Sequence, residues 1–431
     1  ISGKGVLVIN HWTGSGVRSA VRLSGDNRAF EGTVAVHGLL RCPSDASLPP
    51  KANLLLCDKG TVTTGGGLLE MAGSVTHAPG SGAGQVRWGQ LNSVAPGYVN
   101  DNSGANGGGF SAYGGPLTVN LGGDRRTLTL GQDGFEPSRL RLQSDYATDV
   151  LTWENPVDVT NGTLLVQVAQ SATDKTLVWR GAVSSSSAEG GGAFTKTGTG
   201  RIVLADGADF GPVVFTANTT VELSVTNRMA LACDLRGADL LLEKYGAGVV
   251  TLQGSNSYVK ATRVFEGTLR IDGVNVGGAP ISAQPGGVLG GGGFILPGST
   301  SYVTIKAGGT LAPGAGSATC STLTIGSAEQ PRELRMEGGL LAAEIGLSGH
   351  DRVTVYGNVA FDEGTTVAVT AQDEAVWQAL RGTEIPILTW TGTKTGGWAA
   401  AGSLPTGWKV REAPGMLYVG YASPGTLIRL Q

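Results

Sequence analysis

Four arginines between positions 125 and 141 form the clearest pattern in this sequence that could bind a ligand. Arg125 and Arg126 are adjacent, and Arg139 and Arg141 lie on one face of the alternating segment around Leu140. Guanidinium groups repeated on a rigid lattice match sulfate, carboxylate or phosphate groups. The sequence therefore predicts a polyanion-binding site for sulfated glycans or nucleic acid. The alternative is a solvated outer face balanced by nearby acids, which are Asp124, Asp133, Glu136 and Asp145.

A second set of residues with possible chemistry consists of four aspartates in or near polar turns. Two carboxylates about 5 Å apart can act together on a glycosidic bond, and neighbouring strands lie about 4.8 Å apart. Clustering in space would therefore make these residues candidates for catalysis. Aspartate also forms turns through side-chain hydrogen bonds to the backbone, and the sequence leaves both interpretations open. The four residues are Asp206, Asp209, Asp234 and Asp239.

The adjacent pair His350 and Asp351 is a further candidate for acid–base catalysis. No other histidine lies at metal-ligand spacing from it, and the four cysteines have no metal-type spacing. The sequence also lacks a Walker loop, the hydrolase elbow Gly-x-Ser-x-Gly and the calcium-binding nonapeptide repeat. We therefore expect neither a metal ion nor a cofactor.

Short strands and tight turns must position these residues, because the composition disfavours long helices. Glycine contributes 71 of 431 residues, more than twice the usual share of about 7%. Charged residues make up only 15%, whereas helices with solvated faces need Lys and Glu in quantity. Apolar residues reach 40%, which is too many for a disordered chain. The composition predicts an all-β fold.

The charge and the ends of the chain limit its partners and its location. The net charge is −3, so no global field attracts nucleic acid or an anionic membrane. No apolar run approaches the roughly 20 residues of a membrane-spanning helix. The sequence starts at Ile1 without the features of a signal peptide. We expect any export signal to lie outside this sequence.

One residue pattern occurs twice, 48 positions apart. Phe194-Thr-Lys-Thr-Gly-Thr-Gly-Arg-Ile-Val-Leu204 matches Leu242-Glu-Lys-Tyr-Gly-Ala-Gly-Val-Val-Thr-Leu252. Each copy combines turn glycines with short alternating strands, and such a unit buries its apolar side only by stacking on neighbours of its own kind. Alternation along the strands predicts which side chains point inward and which point outward. We expect Leu204, Val250, Leu252 and Leu269 inside, and Lys196 and Lys244 outside.

These copies also carry a family resemblance. The second copy continues through Gly254-Ser-Asn-Ser-Tyr258 and Phe265-Glu-Gly-Thr-Leu269. Lys-x-Gly-x-Gly-x-[Val/Ile]-x-Leu followed by these two segments resembles the autotransporter-associated β-strand repeat. The resemblance implies a right-handed parallel β-helix, a solenoid found in large secreted or surface-exposed bacterial passenger proteins. It indicates architecture strongly and activity hardly at all.

The resemblance extends over most of the chain and suggests its organisation. We expect a β-helix repeat array over residues 1–372, with its clearest copies at 194–222 and 242–272, and a C-terminal β cap over residues 373–431. The block from His350 to Val355 is similar to a segment near the C-terminal end of such passengers, which favours a structural turn role for His350 and Asp351. Asp373 to Leu380 is predicted as a helix of about two turns with acids in its first turn.

The function implied by the resemblance is that of an extracellular or cell-surface passenger. An adhesin-like monomer of this kind would engage host or matrix glycoconjugates through an extended face. The alternative is a hydrolase or lyase that acts on an extracellular polysaccharide, mucin-type glycoprotein or nucleic acid through surface carboxylates and arginines. That alternative rests on analogy between folds.

The cysteines leave two interpretations. Cys42 and Cys57 flank a proline-rich segment, and a disulfide between them is one possibility. The other, which we favour, is that the cysteines are small buried apolar side chains. The full set is Cys42, Cys57, Cys233 and Cys320.

Overall fold

The structure is a computed structural model, and it describes residues 1–10, 20–43, 47–57, 67–95, 107–187, 191–315 and 320–422. Strands account for 51% of the described residues and helix for 3%. The strands stack in long parallel sheets, which is the architecture of a parallel β-helix. The predicted all-β solenoid is therefore confirmed.

The chain divides into two compact units. Unit 1 comprises residues 1–222 and 232–236, and unit 2 comprises residues 223–231 and 237–431. The division thus falls within the repeat array that the sequence predicts over residues 1–372, and both units are built from stacked coils.

The strands up to residue 237 are short and follow one another closely along the chain. They are β1 (Val6–Ile9), β2 (Val21–Arg22), β3 (Thr33–Val36), β4 (Leu39–Arg41), β5 (Asn53–Leu56), β6 (Leu68–Val75), β7 (Ala78–Pro79), β8 (Gln85–Trp88), β9 (Gly107–Val119), β10 (Leu128–Thr129), β11 (Arg139–Leu142), β12 (Leu151–Trp153), β13 (Val157–Asp158), β14 (Thr163–Gln167), β15 (Thr176–Trp179), β16 (Val183–Ser184), β17 (Ala193–Thr197), β18 (Arg201–Ala205), β19 (Val214–Ala217), β20 (Thr220–Ser224), β21 (Arg228–Leu231) and β22 (Asp234–Gly237). A 3₁₀ turn lies at Leu91–Ser93.

The remaining strands continue the same spacing as far as a short helix and a terminal hairpin. They are β23 (Leu241–Tyr245), β24 (Val249–Leu252), β25 (Ser255–Tyr258), β26 (Thr262–Val264), β27 (Gly267–Ile271), β28 (Val274–Val276), β29 (Ile281–Ala283), β30 (Gly287–Gly290), β31 (Phe294–Leu296), β32 (Tyr302–Lys306), β33 (Thr310–Leu311), β34 (Thr322–Ile325), β35 (Glu333–Glu337), β36 (Leu340–Gly346), β37 (Gly349–His350), β38 (Arg352–Val355), β39 (Val359–Phe361), β40 (Thr366–Ala371), β41 (Ile385–Trp390), β42 (Lys394–Gly396), β43 (Ala399–Ala400), β44 (Trp408–Ala413) and β45 (Met416–Tyr421), with α1 (Glu374–Ala379) between β40 and β41.

Aromatic side chains fill much of the interior of unit 1. Trp88 packs edge-on against Phe135 with 5.3 Å between ring centroids. The rings of Trp153 and Trp179 stack at 5.5 Å and 14°, and Trp179 then meets Phe194 at 5.0 Å. Buried indoles need an acceptor for their N–H group. The indole N–H of Trp153 donates to the carbonyl oxygen of Asn155 at 2.8 Å. The indole N–H of Trp179 likewise donates to the carbonyl oxygen of the residue two positions later in the chain.

The interior of unit 2 is an aliphatic stack in strict parallel register. Val250 of β24 pairs with Leu269 of β27, which pairs in turn with Leu289 of β30. The row continues through Leu311 and Leu341. All five side chains are buried. Leu204 and Leu252 are buried as well, so the inward assignment of the four apolar residues is confirmed.

The outward assignment of the two lysines is wrong. Lys196 is 1% exposed and Lys244 is fully buried, because each occupies an inward position of its strand, in register with Ala217 and Val264 respectively. Backbone oxygens of the adjoining turn accept from each ammonium group. The Nζ atom of Lys196 donates to the carbonyl of Gly198 at 2.8 Å. The apolar stem of each lysine is thereby buried while the terminal nitrogen is hydrogen-bonded.

The turn glycines of the two copies are required by the close approach of neighbouring coils. Gly198 and Gly246 have φ values of +74° and +75°, a region that residues with a Cβ atom rarely adopt. A Cβ atom on Gly198 would lie 1.9 Å from the carbonyl oxygen of Ala169, and one on Gly246 would lie 2.5 Å from that of Val225. The glycines therefore permit both the tight turn and the stacking.

The C-terminal segment changes from parallel to antiparallel pairing. Strand β41 pairs in parallel with β38 but antiparallel with β45, and β45 pairs antiparallel with β44. The predicted helix is present as α1, and the side chain of Asp373 caps it by accepting from the Val376 amide at 3.0 Å. Residues 423–431 of the expected cap lie outside the described residues. None of the helices found in the described residues has the length and apolar character needed to cross a membrane.

None of the four cysteines forms a disulfide. Cys42, Cys57 and Cys233 are buried, and Cys320 is half-buried. Burial raises the pKa of Cys42 to about 12, as expected when a thiolate would lose its solvation. The interpretation as buried apolar side chains is confirmed for the first three.

Candidate functional site

A polar cleft lies on unit 1. Its volume is about 620 Å³, within the range of roughly 300–1,000 Å³ that ligand sites usually have. One wall comes from β7, β8 and the turn between them, and the other from β10 and the turn that follows. Its lining includes Gln85, Arg87, Trp88, Arg126, Thr127, Leu128, Thr129, Gln132, Asp133, Phe135 and Glu136.

The first wall is held in shape by one buried amide. Asn53 is 6% exposed, and its Nδ2 atom donates to the carbonyl oxygens of Gly80, Gly82 and Gln85, each at 3.1 Å. A nitrogen with three acceptors fixes the orientation of the amide, so Oδ1 must point the other way. It accepts from the Nε atom of Arg87 at 3.2 Å. The same side chain therefore positions the turn and the arginine.

The second wall is a tight turn whose sequence explains its geometry. Asp133 and Gly134 both have positive φ, at 50° and 82°, and the amide of Phe135 donates to the carbonyl of Gln132 at 2.8 Å. An Asp-Gly pair favours such a primed turn. The carbonyl of Gly134 accepts from the Trp88 amide at 3.3 Å, which joins this turn to β8. Phe135 thereby packs against Trp88 beneath the cleft.

Arg87 is the cation that this geometry leaves available. It is half-buried, and none of the carboxylates in the described ranges forms an ion pair with it. A guanidinium group has five N–H donors, and within the described ranges only the Nε donor of Arg87 has an acceptor, the Oδ1 atom of Asn53. Two carboxylates, Asp133 and Glu136, line the same cleft without an ion pair to any described residue. The cleft therefore offers both donors and acceptors to a ligand.

Two of the four predicted arginines lie at or near this cleft and are ion-paired. Arg126 lines the cleft and forms two hydrogen bonds to Asp124, both at 2.9 Å, and this pairing lowers the pKa of Asp124. Arg125 donates to both carboxylate oxygens of Glu154, at 3.1 and 2.7 Å, which raises the pKa of Arg125. Both guanidinium groups are exposed, so each pair is open to exchange with a ligand anion.

The other two predicted arginines lie elsewhere on the same coils. Strand β11, which carries Arg139 and Arg141, pairs with the start of β9 at Gly107–Phe110. Glu154, the partner of Arg125, follows β12, which pairs with the far end of β9. Arg139 is half-buried and Arg141 is 4% exposed. The four arginines therefore do not form one exposed strip, since alternation along a strand does not specify what covers its outer face.

The four candidate aspartates are divided between the two units. Asp206, Asp209 and Asp234 belong to unit 1, whereas Asp239 belongs to unit 2 and pairs with Lys260 at 3.4 Å. Asp234 pairs with Arg236 at 3.1 Å. Burial, with smaller contributions from Asp234 and Asp209, raises the pKa of Cys233 to about 12. Asp209 and Asp234 thus lie near a buried thiol, and Asp234 and Asp239 form ion pairs.

His350 and Asp351 lie at a short hairpin of unit 2. Asp351 is 3% exposed, and its two carboxylate oxygens accept from the backbone amides of Ser321 at 2.8 Å and Glu344 at 3.0 Å. His350 pairs antiparallel with Ile345 in a short hairpin, and burial lowers its pKa. The carboxylate therefore joins two segments of unit 2, as the structural interpretation predicts.

Sequence reasoning did not find Arg87 or Asn53. Arg87 lies in the ordinary alternating segment Gln85–Trp88, and Asn53 precedes a run of leucines. The stacking of coils brings these two residues together although they are 34 residues apart in the sequence. No local sequence pattern predicts that contact. The Asp133-Gly134 turn signal was available from sequence, but its position beside β8 was not.

The fold and the cleft together define a parallel β-helix with a polar site on one unit. No group of three or more metal-binding side chains with suitable geometry occurs within the described ranges. No protein-family model matches this sequence, and a search of curated proteins finds no similar sequence. The function is therefore argued from the site itself.

Proposed function

We propose that this chain is an extracellular or cell-surface β-helical protein that binds acidic glycoconjugates of a host or matrix through the cleft on unit 1. The observation that carries the proposal is the Arg87 guanidinium, which Asn53 positions in a polar cleft and no described carboxylate neutralises. Arg126 supplies a second cation at the same cleft. The role is adhesin-like, and the ligand is captured by a rigid surface.

The chemistry of the cleft suits an acidic saccharide. A guanidinium group binds carboxylate and sulfate through paired N–H donors. The side chains of Gln85, Gln132 and Thr127 offer donors and acceptors for sugar hydroxyl groups. Because Trp88 is buried and its Nε1 atom already donates to the Gly108 carbonyl at 3.0 Å, affinity rests on polar contacts and falls with added salt.

The surface location rests on the resemblance of the repeats. Copies of Lys-x-Gly-x-Gly-x-[Val/Ile]-x-Leu are typical of secreted or surface-exposed bacterial passengers, and the chain consists largely of such coils. A rigid solenoid that is rich in glycine turns and poor in charge presents its flank to ligands outside the cell. The attachment of the protein to a cell is not required for binding at the cleft.

A glycan array at low ionic strength tests the proposal. The wild-type protein should prefer uronic-acid-containing and sulfated glycans over neutral ones, and binding should weaken in 0.5 M NaCl. Arg87→Gln should reduce binding at least tenfold. Arg201→Gln is the matched control, because Arg201 is an exposed arginine of unit 1 that pairs with Glu222 at 2.9 Å away from the cleft lining. Preference for neutral glycans, or full binding by Arg87→Gln, would refute the proposal.

A second candidate function is hydrolysis or lyase cleavage of an acidic polysaccharide at the same cleft. Asp133 and Glu136, which have no ion pair among the described residues, favour it as possible proton acceptors or donors. Prolonged incubation with polyuronides should then release new reducing ends or unsaturated products. Loss of that release in Asp133→Asn or Glu136→Gln, with binding retained, would establish the enzyme over the adhesin.

A further inference from the structure

A second, smaller cleft lies on unit 2 and is rich in hydrogen-bond donors. Its volume is about 260 Å³, too small for an oligosaccharide and suited to one small polar group. The start of β32, the start of β35 and the turn after β38 form its walls. The lining residues that matter here are Ser301, Tyr302, Arg332, Glu333, Arg335 and Asn358.

Arg332 is a cation held by neutral groups. Its Nε atom donates to the carbonyl oxygen of Pro297 at 2.5 Å, and Nη1 donates to that of Pro331 at 2.8 Å. Its third contact is the amide oxygen of Gln330, at 3.4 Å from Nη2. No carboxylate of the described chain forms an ion pair with it. Its position is therefore fixed while its charge is uncompensated.

Arg335 also lines the cleft. Its guanidinium carbon lies 3.7 Å from the centroid of the Tyr302 ring, in a cation–π arrangement. It also pairs with Glu333 at 3.0 Å. Two guanidinium groups thus face one carboxylate within the lining, and the cleft carries an excess of positive charge.

Asn358 adds an oriented neutral donor. Its Oδ1 atom accepts from the backbone amide of Thr393 at 2.9 Å and from the Thr393 hydroxyl at 3.1 Å. Because the backbone N–H can only donate, the oxygen of the amide is assigned and Nδ2 is the free end. The described residues offer that Nδ2 atom no acceptor.

We propose that this cleft binds a single tetrahedral oxyanion, the sulfate or phosphate group of a monoester or the free inorganic ion, with Arg332, Arg335 and Asn358 as donors. The chemistry follows from a small, donor-rich cleft with surplus positive charge, since planar guanidinium groups and an amide N–H match the oxygens of such an anion. The site belongs to unit 2 and does not depend on Arg87 or on the proposed glycan-binding function.

Titration of the whole chain, followed by isothermal calorimetry at low ionic strength, tests this site. The probes are sodium sulfate, sodium phosphate, glucose 6-sulfate and glucose. Sulfate, phosphate and glucose 6-sulfate should each bind at this site, and glucose should not bind. Tighter binding of glucose 6-sulfate than of inorganic sulfate assigns the ligand to a saccharide ester, and equal affinity assigns it to the free ion.

Variants separate recognition from folding. Asn358→Asp keeps the Oδ1 acceptor for Thr393 but adds a negative charge, and it should weaken sulfate binding at least tenfold. Glu333→Gln removes the carboxylate of the cleft and should strengthen binding about threefold or more. Arg263→Gln, which alters an exposed arginine of unit 2 paired with Glu243 at 3.3 Å, should leave it unchanged. Wild-type affinity in Asn358→Asp, or no binding of any anion, would overturn the proposal.

Discussion

The ammonium nitrogen of Lys244 lies 2.5 Å from the carbonyl oxygen of Gly246, two residues further along the same chain. Carbonyl oxygens of Tyr245 and Glu266 accept from it as well, at 2.8 and 3.1 Å. Lys196 repeats the arrangement with Gly198 and with the hydroxyl of Thr219 at 2.7 Å. In both copies the lysine side chain runs inside its coil and its nitrogen bonds the glycine turn. The Lys-x-Gly pattern of the repeat is thus one local hydrogen-bonded unit.

Replacement of Lys196 should change how stability depends on pH. Burial lowers the pKa of Lys196 to about 7, whereas an exposed lysine has a pKa of about 10.4. Between these values the unfolded chain binds a proton that the folded chain does not, so the wild-type protein gains stability as the pH rises. Lys196→Met has no ionisable group at this position and therefore lacks this pH-dependent gain in stability.

Relative to wild type, the urea unfolding midpoint of Lys196→Met should therefore be most favourable at pH 6, and by pH 9.5 it should shift to the disadvantage of the variant. Lys51→Met serves as the control, since Lys51 is exposed and pairs with Glu31 at 3.0 Å. If the difference in urea unfolding midpoint between Lys196→Met and wild type stays constant across this pH range, the lowered pKa of Lys196 is contradicted.

Core truncation should separate inward from outward positions of one strand. Leu252→Ala removes a fully buried side chain of β24 and should lower the free energy of unfolding by about 2–5 kcal/mol. Thr251→Ala changes the adjacent outward residue and should stay within about 0.5 kcal/mol of wild type. Chemical denaturation followed by circular dichroism measures both, and equal losses would reject the inward assignment.

Asn53 should be needed for the shape of the unit 1 cleft. Asn53→Ala leaves three carbonyl oxygens and the Nε atom of Arg87 without their partner, which should cost about 1–3 kcal/mol in unfolding free energy. Binding of acidic glycans should fall with it, because Arg87 loses its orientation. The measurement pairs denaturation with glycan binding at a temperature where the variant remains folded. Unchanged values of both would show that the amide has no such role.

Asp351 and His350 should differ in their contribution to stability. Asp351→Ala removes the acceptor of two backbone amides and should lower the free energy of unfolding by about 1–3 kcal/mol. His350→Ala, at a half-buried hairpin position, should cost about 0.5 kcal/mol or less. Thermal denaturation of the two variants compares them directly. A larger loss in His350→Ala would require a contact for the imidazole that the carboxylate lacks.

The thiols should show the accessibility that burial predicts. Reaction with a thiol reagent at pH 8 requires the thiolate, and the pKa values of Cys42 and Cys233 are raised to about 12. Only Cys320, which is half-buried, should react in the native protein, and slowly because its pKa is also raised. All four should react in urea. Mass spectrometry identifies the labelled residue, and rapid native labelling of Cys42 would contradict the structure.

The sequence was sufficient for the architecture and for the apolar interior. Glycine turns, short alternating strands and two repeat copies predict the solenoid, and Leu204 and Leu252 are inside as expected. Alternation alone does not fix the phase of a strand, however, and the assignment of Lys196 to an outward position by alternation was wrong. Its environment became clear only with the carbonyl of Gly198 in place. A charged residue can therefore occupy an inward position when its own turn supplies acceptors.

The site was much less accessible to sequence reasoning. Arg126 was predicted, but Arg87 was not, because its partner Asn53 is 34 residues away. Arg141 was predicted as an outward cation, but it is only 4% exposed. The sequence of β11 does not predict which residues cover this side chain. In a solenoid, side chains that share a surface come from successive coils whose separation varies. Their juxtaposition therefore follows from the register and not from spacing in the sequence.

The in-register stacking of unit 2 also has an evolutionary consequence. Gly267 pairs with Gly287, twenty residues further on, and Leu269 pairs with Leu289 in the same coil step. Each coil contacts mainly the coils before and after it. If one whole coil were duplicated or lost, the coils on either side would therefore still meet through the same type of coil–coil interface. Such a chain can change its length by unequal recombination while a cleft several coils away keeps its walls. Binding site and spacer can thus diversify at different rates within one gene.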